Sequence, residues 1–186
     1  MSEIDAERVI ADFNRSRTRR SLLLKSLVFV CLTLIFGLSL GFIWRAVVAP
    51  PAFVVGQDGS AMLSELAAGK IFRIDVSYVS IGLIAGLVIG TVCWALFRVR
   101  GLLAIGMSIF GSLLSALACW GLGVFLGPKH FAARVSEASS GMEVPVDFTL
   151  RSPSALAVWI FGSLLALMFL SAFERAPGRQ SAKRSE

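Results

Sequence analysis

Charged residues are scarce in this sequence, with Asp, Glu, Lys and Arg making up 16% of the 186 residues. Soluble domains carry roughly a quarter. Apolar residues account for 56%, and a single soluble domain of this size has no interior large enough to bury so many of them. Disordered chains have low hydrophobicity, so disorder is excluded as well. The composition therefore indicates a protein that resides in a lipid bilayer.

Residues that carry site chemistry are equally few. His130 is the only histidine, so a histidine-based metal site or a Ser-His triad would have to be built around one residue. The three cysteines, Cys31, Cys93 and Cys119, lie in apolar sequence without Cys-x-x-Cys spacing, which excludes a disulfide scaffold. Such cysteines usually act as small hydrophobic residues. We therefore predict no catalytic, cofactor-binding or metal-binding residues, no cofactor and no enzymatic activity.

Four long stretches contain no Asp, Glu, Lys, Arg or His, namely 26–44, 76–97, 101–128 and 152–173. A helix needs about 20 apolar residues to cross the hydrocarbon core of a bilayer. Backbone polar groups in lipid must be satisfied within the segment, so the spans are predicted to be helices. We predict an all-α bundle of four transmembrane helices in residues 22–175, with spans at about 24–46, 76–97, 101–125 and 153–173.

Positive charges are distributed unevenly among the segments between the spans. Twelve of the 18 Lys and Arg residues lie before the first span, in the turn after the second, or after the fourth. The other six lie in the two remaining loops, whereas the acidic residues divide equally. Because cytoplasmic loops retain positive charge, we predict a multi-pass protein of the cell inner (plasma) membrane with both termini cytoplasmic. The net charge of +6 then lies beside the inner leaflet.

The first 21 residues form a predicted cytoplasmic segment with its own pattern. Its apolar residues fall on one face of a short amphipathic helix, at Ala6, Val9, Ile10 and Phe13. Anionic headgroups would attract the basic residues that follow at roughly 1 kcal/mol per charge. We therefore predict inner-leaflet lipid contact at Arg15, Arg17, Arg19 and Arg20, with a plain topology anchor as the alternative. Residues 176–186 are predicted to be a disordered cytoplasmic tail.

The two outer loops, 47–75 and 126–152, contain strand-like patterns. Phe53 to Val55 is a short apolar run, and apolar residues alternate from Val144 to Leu150. Pro145 in the second run suits an edge strand. We expect the loops to form a small extracytoplasmic cap with short β-strands. Trp44 and Tyr78 fall at the outer ends of their spans, where amphipathic rings prefer the membrane interface.

Each span carries a stripe of small residues, which in lipid lets helices approach closely. The two successive Gly-x-x-x-Gly spacings of the second span indicate that another helix, or another copy of the chain, lies close there. The serine stripe of the third span leaves a second interpretation open, a narrow polar path through the membrane. The predicted helix-packing or partner-contact residues are Gly82, Gly86, Gly90, Gly37, Gly41, Ser108, Ser112 and Ser115.

Three stretches carry a resemblance to a known group of proteins. They are Gly82-Leu83-Ile84-Ala85-Gly86-Leu87 with Gly90, the turn Arg98-Val99-Arg100-Gly101, and residues 121–128, which close the third span. Over roughly residues 25–173 the chain resembles actinobacterial four-span integral membrane proteins of a domain-of-unknown-function family. The resemblance implies a plasma-membrane location and four helices, and it supplies no activity or catalytic residues.

Taken together, these patterns favour a non-enzymatic accessory or scaffold protein of the bacterial cell envelope, acting through helix packing and its outer loops. The expected partners are membrane lipid and a membrane protein, either a different one or a second copy of this chain. No nucleic acid and no small-molecule substrate are indicated. The alternative is a small membrane transporter or channel, as a single chain or an oligomer, with Ser108, Ser112 and Ser115 facing the path.

Overall fold

A computed structural model describes the backbone of residues 3–56, 61–62 and 65–174, and the side chains of residues 18–56 and 72–174. Four of the described helices are long and apolar enough to cross a membrane, which confirms the predicted four-helix bundle. A seven-residue helix and three short strands lie between them. The elements are α1 (Glu3–Val47), β1 (Ala52–Val55), β2 (Ala61–Met62), α2 (Glu65–Phe97), α3 (Gly101–Leu126), α4 (Phe131–Glu137), β3 (Glu143–Pro145) and α5 (Ala155–Glu174).

The long helices alternate in direction. Phe29 of α1 meets Phe97 at the end of α2, and Trp44 near the end of α1 meets Tyr78 in the first half of α2, so α1 and α2 run antiparallel. The α3 helix pairs with α1 in parallel, and α5 pairs with α2 in parallel, as the close approaches of their glycines show. Residues 98–100 and Glu174 therefore lie at one end of the bundle, which we call the turn end. The strands and α4 lie at the other, the cap end.

Helix α1 is a single continuous element of 45 residues. At about 1.5 Å per residue it is much longer than the ~30 Å hydrocarbon core. We expected a short amphipathic helix followed by a basic cluster within residues 1–21, and the described backbone is helical without a break from residue 3 into the first span. The sequence contains no Gly or Pro between residue 3 and Gly37, so nothing in it interrupts the helix.

The three strands form one antiparallel sheet in the order β2-β1-β3. Pro145 lies opposite Ala52 on an edge strand, as predicted. The strand ends there although the apolar alternation continues to Leu150. Beyond it, the amides of Val146 and Phe148 donate to the carbonyls of Pro51 and Pro128, which ties the segment to the loops beside it. The short helix α4 was not anticipated from the sequence.

Two aromatic residues occupy positions different from those expected. Trp44 and Tyr78 are fully buried in the bundle, so their expected placement at the lipid interface was wrong. The Trp44 indole donates to the Ser77 hydroxyl at 3.0 Å, and the Tyr78 hydroxyl donates to the Ala116 carbonyl at 2.8 Å. Their polar atoms therefore bind to protein groups rather than to lipid headgroups.

Candidate contact surfaces and sites

The second span's three glycines, Gly82, Gly86 and Gly90, form a glycine ridge that faces α5 of the same chain. A methyl group added at Gly86 would overlap the Trp159 carbonyl, and one at Gly90 would overlap the Ser163 carbonyl. From the other side, a methyl group at Gly162 would lie 2.8 Å from the Leu83 carbonyl. The ridge is therefore occupied by an intrachain contact, and it is not a free surface for a partner in this structure.

Helix α1 approaches α3 in the same way. A methyl group at Gly37 would overlap the backbone of Ser115, and one at Gly41 would lie 2.6 Å from the Cys119 carbonyl. Small residues in both helices let the backbones meet, because lipid tails offer no hydrophobic drive for association. All five glycines proposed as contact residues thus pack within the chain.

The serine stripe of α3 lies inside the bundle. Ser108, Ser112 and Ser115 have no exposed surface. The Ser112 hydroxyl donates to the Ser108 carbonyl at 2.6 Å. A serine in a helix commonly makes this hydrogen bond to the carbonyl four residues earlier. The Ser108 and Ser115 hydroxyls have no hydrogen-bond partner among the described residues. The stripe lines a packed interface here, and no open path runs along these three side chains.

The cap is fastened to the bundle by Phe148. Its ring lies 4.5 Å from the Trp44 ring, between centroids, and a methyl group at Gly127 would overlap its Cβ. The Trp44 ring in turn fills the space left open at Gly123. Near the end of α3, Gly123 thus makes room for the Trp44 ring of the bundle, and Gly127, four residues later, makes room for Phe148 of the cap. That Gly-x-x-x-Gly spacing is the signal by which the Phe148 site could have been found from sequence.

Ionic contacts hold the cap segment together. Arg134 binds Asp147 at 2.8 Å and also donates to the Lys129 carbonyl.

The lone histidine, His130, precedes α4 in a left-handed conformation and is exposed. In the part of the chain that the structure describes, no three His, Cys, Asp or Glu side chains are grouped so as to hold a metal ion.

The predicted lipid-contact arginines lie on α1 towards the turn end. Arg19 and Arg20 are exposed. The backbone of Arg15 and Arg17 belongs to the same helix, and their side chains lie outside the described residues, as does the predicted tail 176–186.

Cys31 is exposed on α1, whereas Cys93 is buried and donates to the Ala104 carbonyl at 3.2 Å.

Comparison of the chain with protein-family models, with curated proteins and with solved structures finds no match in any of the three. What the fold defines is a class, a membrane protein of four apolar helices. The resemblance to the actinobacterial four-span family stays a prediction.

Proposed function

We propose that this protein is a non-enzymatic accessory protein of a bacterial cytoplasmic membrane, which contacts a partner membrane protein through its cap. The observation that supports this most directly is the attachment of the cap. Phe148 inserts between α1 and α3, and Arg134 pairs with Asp147, so the cap is held as an ordered surface on the bundle. Met142 is 54% exposed on that surface, an apolar side chain available to a partner.

The packing of the bundle favours this role over transport. Proton relays and ion sites need charged or readily titrating side chains at membrane depth, and the four apolar stretches contain no Asp, Glu, Lys, Arg or His. Ser112 and its neighbours in the serine stripe are fully buried by close helix contacts. An accessory role requires only a stable bundle that carries a contact surface, and this arrangement is suited to that.

The proposed orientation places the turn end in the cytoplasm. Residues 98–100 and Glu174 share that end with the basic part of α1, where Arg19 and Arg20 are exposed. The positive-inside tendency then assigns the cap to the outer face of the membrane.

Co-purification tests the accessory role. The tagged protein, extracted in a mild detergent, is expected to carry one stoichiometric membrane protein, identified by mass spectrometry. Met142→Glu should abolish this association because it places a charge on the apolar cap surface. Val99→Glu is the matched control, since Val99 is 91% exposed at the opposite end. A wild-type protein that purifies alone as a monomer would contradict the proposal.

Liposome flux tests the transport alternative. Ser112→Leu should lower the stability of the bundle by about 1–3 kcal/mol through overpacking. Liposomes that contain the wild type and liposomes that contain Ser112→Leu should be equally impermeable to ions. Ser80→Leu is the control, because Ser80 is exposed on α2. A wild-type ion flux that Ser112→Leu removes and Ser80→Leu retains would establish transport instead.

A further inference from the structure

A cleft at the turn end separates the end of α2 from the beginning of α3 and the end of α5. It has a volume of about 230 Å³ and is partly open. Its inner wall is apolar, with Ile105 on α3 and Leu167 on α5. Its rim carries Trp94, Arg98 and Glu174. The cleft thus combines an apolar interior with a rim that bears both signs of charge.

The two charges on the rim face each other without a hydrogen bond. The nearest atoms of Arg98 and Glu174 are 3.7 Å apart, and both side chains are 53% exposed. A charge-assisted hydrogen bond would measure about 2.7–2.9 Å, as the Arg134–Asp147 pair in the cap does at 2.8 Å. The Arg98 guanidinium instead lies over the Trp94 ring, 5.5 Å from its centre. Donors of Arg98 and acceptors of Glu174 are therefore left available to a ligand.

The position of the cleft defines what can reach it. Arg98 directly follows the second apolar stretch and Glu174 directly follows the fourth, so the rim lies at the depth of lipid headgroups. Ile105 lies four residues after the start of α3 and Leu167 lies seven residues before Glu174 at the end of α5, so both are nearer to the hydrocarbon than the rim is. An occupant must therefore have a polar head with both charges and an apolar tail.

We propose that this cleft binds one phospholipid whose headgroup carries a phosphate and a primary ammonium, as in phosphatidylethanolamine. Arg98 donates to the phosphate, because a guanidinium presents several N–H groups in a fork that fits phosphate oxygens. Glu174 accepts hydrogen bonds from the ammonium, and an acyl chain follows Ile105 and Leu167. Phosphatidylglycerol places no cation at Glu174, and the quaternary ammonium of phosphatidylcholine has no N–H to donate. The site is independent of the proposed partner at the cap.

Lipid retention in native mass spectrometry tests the site. The wild-type protein, exchanged into detergent with equal amounts of phosphatidylethanolamine, phosphatidylglycerol and phosphatidylcholine, should retain the first about tenfold more than the others. Glu174→Gln should remove that preference, and Arg98→Gln should reduce the retention of all three lipids. Arg100→Gln is the control, since Arg100 is exposed in the same turn and does not line the cleft.

Thermal unfolding separates lipid binding from a structural ion pair. Added phosphatidylethanolamine should raise the melting temperature of the wild type and of Arg100→Gln, and leave Arg98→Gln and Glu174→Gln unchanged. Such exposed pairs contribute little to stability, so both variants should fold. Glycerophosphoethanolamine, which lacks acyl chains, should not displace the lipid. Equal retention of the three lipids by the wild type, a preference that survives Glu174→Gln, or displacement by the soluble headgroup would each overturn the proposal.

Discussion

Gly86 illustrates how one absent side chain decides a helix contact. The α5 backbone at Trp159 and Gly162 occupies the space where its Cβ would be. Gly106 on α3 has the same residue type in an equally apolar helix, yet nothing lies within 4 Å of the position where its Cβ would be. The sequence does not separate these two glycines by composition. It separates them only by spacing, because Gly86 belongs to a ridge with four-residue steps.

We predict that Gly86→Leu destabilises the bundle by about 1–3 kcal/mol or more, because the leucine must push α5 away. Gly106→Leu should have no such cost, and its gain in helix propensity is the same. Unfolding by SDS titration in mixed micelles measures both variants. Equal stability of the two would mean that the glycine ridge does not hold α5.

Trp44, Tyr78 and Trp159 show that the sequence does not determine which way an aromatic ring of a membrane span faces. Hydropathy places each of them at a depth in the membrane, but depth does not tell which way a ring faces. All three turn inwards, with ring centroids 5.0 and 5.7 Å apart along the series. They face inwards because Gly82 and Gly123 leave room for the indole rings. Lipid-facing and core-facing aromatics cannot be distinguished without knowing which helices are neighbours.

At the scale of the elements, the cap depends on a contact that the loops do not make by themselves. Three strands of two to four residues would be marginal alone. Phe148 supplies the missing attachment by entering the bundle between Trp44 and Gly127. The alternation that includes Phe148 was expected to form a strand, and it serves instead to place this ring.

Phe148→Ala should therefore loosen the cap while the four spanning helices persist, because about 3–5 kcal/mol of buried aromatic contact is lost. Trypsin should cut faster at Lys129, Arg134 or Arg151 in the detergent-solubilised variant. Phe110→Ala is the control, since Phe110 on α3 is 54% exposed. Identical cleavage rates in all three proteins would show that the cap is held by other contacts.

At the scale of the whole molecule, the helices alternate in direction. The start of the first span, the turn at residues 98–100 and Glu174 therefore lie at one end of the bundle. We predict that this end faces the cytoplasm, because twelve of the 18 Lys and Arg residues precede the first span, lie in the turn or follow the fourth span in the sequence. An even number of spans places both termini on the same side whichever end faces inwards. The orientation itself depends on the charges alone.

Cysteine labelling tests this orientation. In intact spheroplasts, a membrane-impermeant maleimide should label Ser140→Cys in the cap and should not label Arg100→Cys in the turn. Both positions are exposed, so any difference reports the side of the membrane. Permeabilisation should then make Arg100→Cys reactive. Labelling of the turn before permeabilisation would reverse the topology.

Several features could be predicted from the sequence because they depend on local physics. A run of about 20 apolar residues must form a helix in lipid, since each backbone N–H and C=O needs an internal partner. The four spans, the edge position of Pro145 and the presence of short cap strands follow from such local rules. The continuation of α1 from residue 3 through the first span was missed, because the change in composition near residue 21 does not interrupt a helix.

The sequence by itself determined the number of membrane-crossing helices and the chemistry available at each depth. Only the tertiary structure decided which helices are neighbours, and with that the burial of the serine stripe, the inward turn of Trp44 and the opposed charges of Arg98 and Glu174. The physical reason is that lipid satisfies any apolar face equally well. Neighbours are therefore chosen by backbone fit between residues far apart in the chain, such as Gly86 and Gly162. The glycine spacing shows where a helix can approach closely, but it does not show which helix does so.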